Sequence, residues 1–214
     1  MPLLNGLGGV PGLPTGKTVE VFIPGLLVMQ ALFGSAFVGF SLIDDIRTGV
    51  IERFLVTSVK RPAILLGRIL RDALILLLQC TLITMVAIPF GLTVNIVGFL
   101  LSLLLYALIG ITMASISYGF ALIYKIEDSL APTLNTITLP VSLLSGIILP
   151  LVLAPIWLQD LAKLNPFSYA VDAARALFAG NFQNIEIAEG FAIISVLAFL
   201  LFQWGLRSLK KMAS

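Results

Sequence analysis

The sequence predicts an all-α integral membrane protein, and three observations carry that prediction. Of 214 residues, 59% are hydrophobic and only 11% are charged, against the roughly 25% that a soluble domain usually carries. Mean hydropathy is +1.08. An uncharged run extends from Ala73 to Tyr124, far beyond the ~20 apolar residues that one helix needs to cross a bilayer. The net charge of +2 is too small to argue for a nucleic-acid partner.

Residues 1–20, "MPLLNGLGGVPGLPTGKTVE", are rich in Gly and Pro and read as an irregular external segment. They lack the basic stretch and apolar core of a signal peptide. "GLPTGKT" (12–18) resembles a phosphate loop, but the first glycine of that motif falls on Pro11, and no buried strand precedes it.

The first span is Val21 to Ile43, between Glu20 and Asp44. The long uncharged stretch is divided by the turn residues "PFGLTVN" (89–95) into spans at about 69–90 and 96–124. "KIEDS" (125–129) then interrupts, and a fourth span follows at about 130–153, carrying Pro132, Pro140 and Pro150. The fifth runs from about 187 to 206, with Glu189 near its start, and leaves a tail at 207–214. Five spans result. Placing the 44–62 loop in the cytoplasm leaves only Lys17, Lys163 and Arg175 outside, of 13 Lys and Arg in all. The positive-inside rule therefore puts the N-terminus out and the C-terminus in.

Composition also excludes chemistries. With no histidine and one cysteine, Cys80, neither a serine–histidine pair nor a Cys/His zinc site can form. The spans are expected to hold no buried charge apart from Glu189 near a membrane face. Their other polar groups, Gln30, Gln79, Asn135, Thr136 and Thr138, are neutral, which argues against an ion relay. Gly34, Ser35, Gly110, Ser115, Gly119, Ser145 and Gly146 are small residues suited to close helix packing.

The segment "DDIRTGVIERFLVTSVKRP" (44–62) gathers charge into one loop. As a helix from Asp44 to about Ser58, it would align Ile43, Ile46, Val50 and Phe54 on one face. Asp45, Gly49, Glu52 and Arg53 would lie largely opposite, and Pro62 would open the next helix. A surface-lying amphipathic helix and a loop that merely sets topology are both compatible with these residues.

Near the other end, Asn165 is positioned to cap a helix starting at Pro166. Phe167, Val171, Ala174 and Phe178 would line one side of it, with Asp172 and Arg175 paired at i, i+3. Trp157 and Tyr169 suit the headgroup level. Two short external helices dipping into the outer leaflet are expected, serving either to shape the fold or to meet substrate.

At this point the residues resemble a known family. "DDIRTGVIERFLVTSVKRPAILLGRIL" (44–70) is similar to the loop between the second and third spans of type-2 ATP-binding-cassette (ABC) exporter permeases, in the drug-resistance and polysaccharide-export branch. Asp45, Arg47, Gly49, Glu52, Arg53, Leu55 and Thr57 match, while Phe54 stands for a leucine and Ser58 for a proline. "IPG" (23–25) fits the entry to the second span. "PIWLQDLAKLNPFSYAVDAARALFAG" (155–180) resembles the external signature through Trp157, Asn165, Pro166, Tyr169, Asp172 and Arg175.

The resemblance implies a helical bundle of six spans, of which this chain holds five and begins at the first external loop. It implies a permease that hydrolyses nothing itself, in a cell membrane, paired with a second copy or a paralogue and seated on separate ABC ATPase subunits. No cofactor or metal is implied. The 44–58 coupling helix would dock in a groove of the ATPase, with Glu52 and Arg53 as polar contacts and Phe54 as the buried anchor. Apolar cavities between spans would admit drugs, lipids or lipid-linked glycans. Two rivals stand beside this expectation: an inactive or scaffolding five-span fragment, and a lipid-headgroup enzyme holding magnesium with Asp44, Asp45 and Asp128.

Overall fold

The computed structural model describes residues 18–50, 61–147 and 155–212. All regular structure among them is helical: α1 (Thr18–Ala36), α2 (Gly39–Arg47), α3 (Arg61–Ala87), α4 (Ile96–Tyr124), α5 (Glu127–Leu144), α6 (Ile156–Ala162), α7 (Pro166–Phe178) and α8 (Ile185–Met212). Four segments are long and apolar enough to cross a membrane: Phe22–Arg47, Ala63–Phe90, Ile96–Tyr124 and Ile185–Ser208. The span expected at 130–153 is not among them. Its helix, α5, begins earlier, at Glu127, and ends at Leu144, and residues 148–154 lie outside those described.

α4 is the hub. Asn95 starts it: its side-chain oxygen accepts from the amides of Val97 (3.0 Å) and Gly98 (3.5 Å), two donors that a helix N-terminus leaves unpaired. Lys125 ends it in the left-handed region at φ 57°, donating its amide to the Ala121 carbonyl. Extended Ile126 then redirects the chain into α5, where Glu127 and Asp128 complement the positive end of the helix dipole. Around α4 the buried residues form two apolar clusters. The larger joins α1, α3, α4, α7 and α8 and includes Leu27, Tyr106 and Val171. The smaller lies toward the connection after α2 and holds Ile43, Ile69, Tyr118 and Leu130. We call these the hairpin end and the loop end.

The first span is not one straight helix. The Gly39 amide leaves the ladder and donates instead to Ser117 Oγ on α4 at 2.9 Å. Phe37 and Val38 form a turn, and the amides of Phe40 and Ser41 close back on it at 3.2 Å. A side chain from a neighbouring helix inserted into the hydrogen-bond ladder is a known cause of such a break. It depends on close approach, because a Cβ on Gly39 would sit 2.7 Å from the Ser117 carbonyl oxygen.

Gly39→Ala is therefore expected to destabilise the bundle by about 1–3 kcal/mol, the usual cost of overpacking. Gly67→Ala, whose added carbon meets nothing within 4 Å, should leave stability unchanged or slightly raised. Thermal unfolding of the two variants in the same detergent checks the contrast.

Candidate functional site

Polar side chains gather at both ends of the bundle. At the loop end, three helices are tied to one another. Asp45, in the last turn of α2, accepts from Arg68 of α3 in a pair whose side chains are only 30% and 12% exposed. Arg47 Nη1 donates to Glu127 Oε1 of α5 at 3.0 Å, and this pair is open, at 56% and 42%. One turn beyond Arg68, Asp72 is 8% exposed. Its carboxylate accepts from the Tyr118 hydroxyl of α4 and from Arg71 at 3.0 Å.

The expectation of spans without buried charge is thus corrected. Asp72 is buried within α3, and it persists there because a charge out of water needs a partner and hydrogen bonds. The spacing contained this signal. Leu65, Ile69, Asp72, Leu76 and Cys80 fall on one helical stripe and are all buried.

The amphipathic helix expected from Asp44 to Ser58 is not continuous over its first turns, and residues 51–60 lie outside those described. Asp44 to Arg47 are the last turn of α2, and the chain leaves helical geometry at Thr48 and at Gly49, whose φ is +71°. A glycine in the left-handed region is a frequent helix stop. Asp45 and Arg47 accordingly face helices of the bundle. Glu52, Arg53 and Phe54 lie outside the described residues. The magnesium reading gains nothing, since Asp45 is engaged by Arg68. Among the described residues, no three His, Cys, Asp or Glu side chains are grouped to hold a metal.

At the hairpin end, motifs distant in sequence converge. Asn165 caps α7 through its side-chain oxygen, which accepts from the Phe167 amide at 3.1 Å, with Pro166 next in the first turn. Its Nδ2 donates to the Val141 carbonyl (2.8 Å) and to Ser145 Oγ (2.9 Å), both at the end of α5. Arg175 Nη2 donates to the Gly146 carbonyl at 2.8 Å, and its Nη1 lies 3.8 Å from Asp172. Gly25 of the "IPG" stretch packs so tightly here that a Cβ would meet the Ile147 carbonyl oxygen at 2.6 Å. Burial pushes the Asp172 carboxyl above its usual range, with the Arg175 charge pulling the other way. Burial likewise lowers Arg175.

The two expected short helices are present as α6 and α7, but they differ in environment. Trp157 on α6 is 65% exposed, as an interfacial aromatic would be. Tyr169 donates its hydroxyl to the Lys163 carbonyl at 3.1 Å, bracing the turn between them. α7 is a core element, with Phe167, Val171, Ala174 and Phe178 all buried. It is inserted among α1, α4 and α8 rather than laid on a surface.

Between the two ends, α5 presents an uncovered face that carries neutral polar side chains. Asn135 and Thr136 are exposed along with Pro132 and Pro140. Thr136 Oγ1 donates to the Pro132 carbonyl and Thr133 Oγ1 to that of Ser129, at 2.8 and 2.9 Å. Gln30 of α1 and Gln79 of α3 make a second uncovered polar contact, an amide hydrogen bond of 2.9 Å.

Comparison with known proteins gives a consistent result. Residues 6–179 match the ABC-2 type transporter family. The chain is 25% identical over 176 residues to the daunorubicin resistance ABC transporter permease protein DrrB1 of Streptomyces coeruleorubidus, with 81% of this chain and 62% of that protein aligned. It is 29% identical over 212 residues to the putative transport permease ycf38 of Cyanophora paradoxa, covering 89% and 72% of the two chains. The corresponding protein of Porphyra purpurea is 29% identical over 189 residues, with 82% and 64% covered. The chain thus spans about three-fifths of the DrrB1 length. No solved structure matches it.

Two outcomes follow from these polar clusters. Tyr118→Phe, which strips a buried carboxylate of its donor, should cost about 1–3 kcal/mol, and adding Asp72→Leu should recover much of that loss. A double-mutant cycle read by detergent unfolding tests it. Asn165→Ala should cost about 1–3 kcal/mol through the lost cap and the lost amide link to Val141 and Ser145, which keep only their bond to each other. Asn165→Asp, which keeps the cap but sets a buried carboxylate against the Val141 carbonyl, should cost at least as much in the same assay.

Proposed function

We propose, on the premise that this chain belongs to the ABC-2 type transporter family, that it is the membrane-spanning permease subunit of an ATP-driven exporter. On this reading it catalyses nothing. It provides the route for cargo, in a cell membrane, with the N-terminal segment outside and the loop end in the cytoplasm. A separate ABC ATPase docks on the loop after α2, through Asp45, Arg47 and Gly49 as its base and Glu52, Arg53 and Phe54 as its contacts. A second copy or a paralogue completes the pathway. The external signature residues Trp157, Asn165, Pro166, Tyr169, Asp172 and Arg175 close its outer end.

The pathway assignment is carried by the exposed face of α5. An amide facing hydrocarbon without partners is costly, so Asn135 and Thr136 are better accommodated beside a cavity or a partner than beside lipid tails. Neutral hydrogen-bonding groups among Leu139, Leu143 and the two prolines favour an amphipathic cargo, which accepts both kinds of contact. Drugs, lipids and lipid-linked glycans share that chemistry. The drug named for the Streptomyces relative belongs to the same class.

Gentle detergent extraction followed by mass identification tests the partner. A stoichiometric ATPase is expected, and it should be lost with Glu52→Lys plus Arg53→Glu or with Phe54→Ala. A chain that emerges alone, or an ATPase that stays bound to these variants, would remove the docking assignment. Asn135→Leu should keep the ATPase yet lower export several-fold, on the scale of one hydrogen bond, about 1 kcal/mol.

A further inference from the structure

The two ends of α5 are held by different kinds of contact. At the hairpin end the anchors are buried and directional. Asn165, 7% exposed, donates to Val141 and Ser145, Arg175 donates to Gly146, and Gly25 leaves no room against Ile147. Desolvated hydrogen bonds of this sort resist both salt and competing water. At the loop end the only ion pair that the described residues give α5 is Arg47–Glu127, open to solvent on both partners. Such pairs are weak and screened by salt.

The remaining contacts that the described residues give α5 at that end are apolar. Leu130 and Leu134 are fully buried in the smaller cluster, and apolar contacts between helices in a bilayer can be exchanged for contacts with lipid tails at little cost. The joint into α5 is already broken, with left-handed Lys125 followed by extended Ile126. α2, the other half of the pair, is pinned independently to α3 by the half-buried Asp45–Arg68 pair. It can therefore stay in place when α5 moves.

We infer that α5 pivots about its hairpin end, and that Arg47–Glu127 is the ionic latch holding its loop end shut. Arg47 lies two residues before Gly49, where the backbone turns left-handed and α2 has ended. The role of the movement, opening a cargo route on the loop side, rests on the reading of α5 as the pathway helix. The movement itself does not.

The test is a pair of spin-label distances in the full-length protein in lipid vesicles, in a Cys80→Ser background. Ser41→Cys with Ser129→Cys reports the loop end, and Leu143→Cys with Leu164→Cys reports the hairpin end. Raising salt from about 0.1 to 1 M, which shortens the Debye length from ~10 to ~3 Å, should increase the longer-distance population at the loop end. The expected change is about two- to five-fold, the scale of one exposed pair. The hairpin distance should not change, and that constancy also reports intact folding. Glu127→Gln should reproduce the effect at low salt, and Arg47→Glu combined with Glu127→Arg should reverse it. A loop-end distance that ignores all three changes, or two distances that respond together, would overturn the pivot. A responding loop end beside a silent Asn135→Leu would support the pivot and remove only its assignment to a cargo route.

Discussion

Close approach of helix backbones to α4 is the constraint on which the rest of this bundle depends. Hydrocarbon tails are as apolar as leucine, so burying leucine between helices in a bilayer gains little, and association has to come from dense packing and interhelical hydrogen bonds. α4 supplies the room at several levels. Gly98 meets the Leu177 backbone of α7, Gly110 meets Leu76 and Ser35, and Gly119 meets the Trp204 ring of α8. Ser117 receives the backbone of Gly39. The Trp204 ring also packs edge-on against Phe120 at 5.3 Å between centroids. Each contact replaces lipid with protein at a place where a larger residue would force the helices apart.

Once the helices are that close, a small number of polar contacts decides their relative placement. Hydrogen bonds and charges are directional where dispersion is not, and in a medium of low dielectric they are strong when satisfied and costly when not. Asp72 with Tyr118 joins α3 to α4, and Asp45 with Arg68 joins α2 to α3. At the opposite end Asn165 and Arg175 hold the last turn of α5 and the residues after it. Elsewhere the described contacts of α5 with the bundle are the open Arg47–Glu127 pair and apolar packing. Its exposed face carries an amide and two prolines. A helix fixed firmly at one end and lightly at the other is built to move as a lever, and its free face is where something other than lipid can lie.

Much of this was legible in the residues. The turn at 89–95 and the start of α4 follow from Pro89, Gly91 and Asn95, and the start of α7 follows from Asn165 and Pro166. These are local effects, set by dihedral preference and by one side chain reaching its own helix terminus. The break at Gly39 was not legible, because it requires Ser117, 78 positions away, to compete for an amide. The end of α2 was misread through the apolar stripe that runs past Gly49. Periodicity reports which face is oily, not whether a glycine has turned left-handed within it. Asp72 was overlooked although the expected span at 69–90 contains it, because its neighbour Arg71 is exposed and only Tyr118 of α4 shows that the carboxylate turns inward.

By itself, then, the sequence determined that this is a helical membrane protein, where its most apolar spans run, and which family it resembles. Those properties are sums over local composition and short-range geometry, and they survive whatever the partners do. Only the tertiary structure decided that "IPG", Ser145–Gly146 and Arg175 meet at one place. It also decided that α7 is core rather than rim, and that α5 is clamped at one end and latched at the other. Those outcomes depend on contacts between residues far apart in the chain, where one added methyl group or one unpaired carboxylate changes which helices can touch.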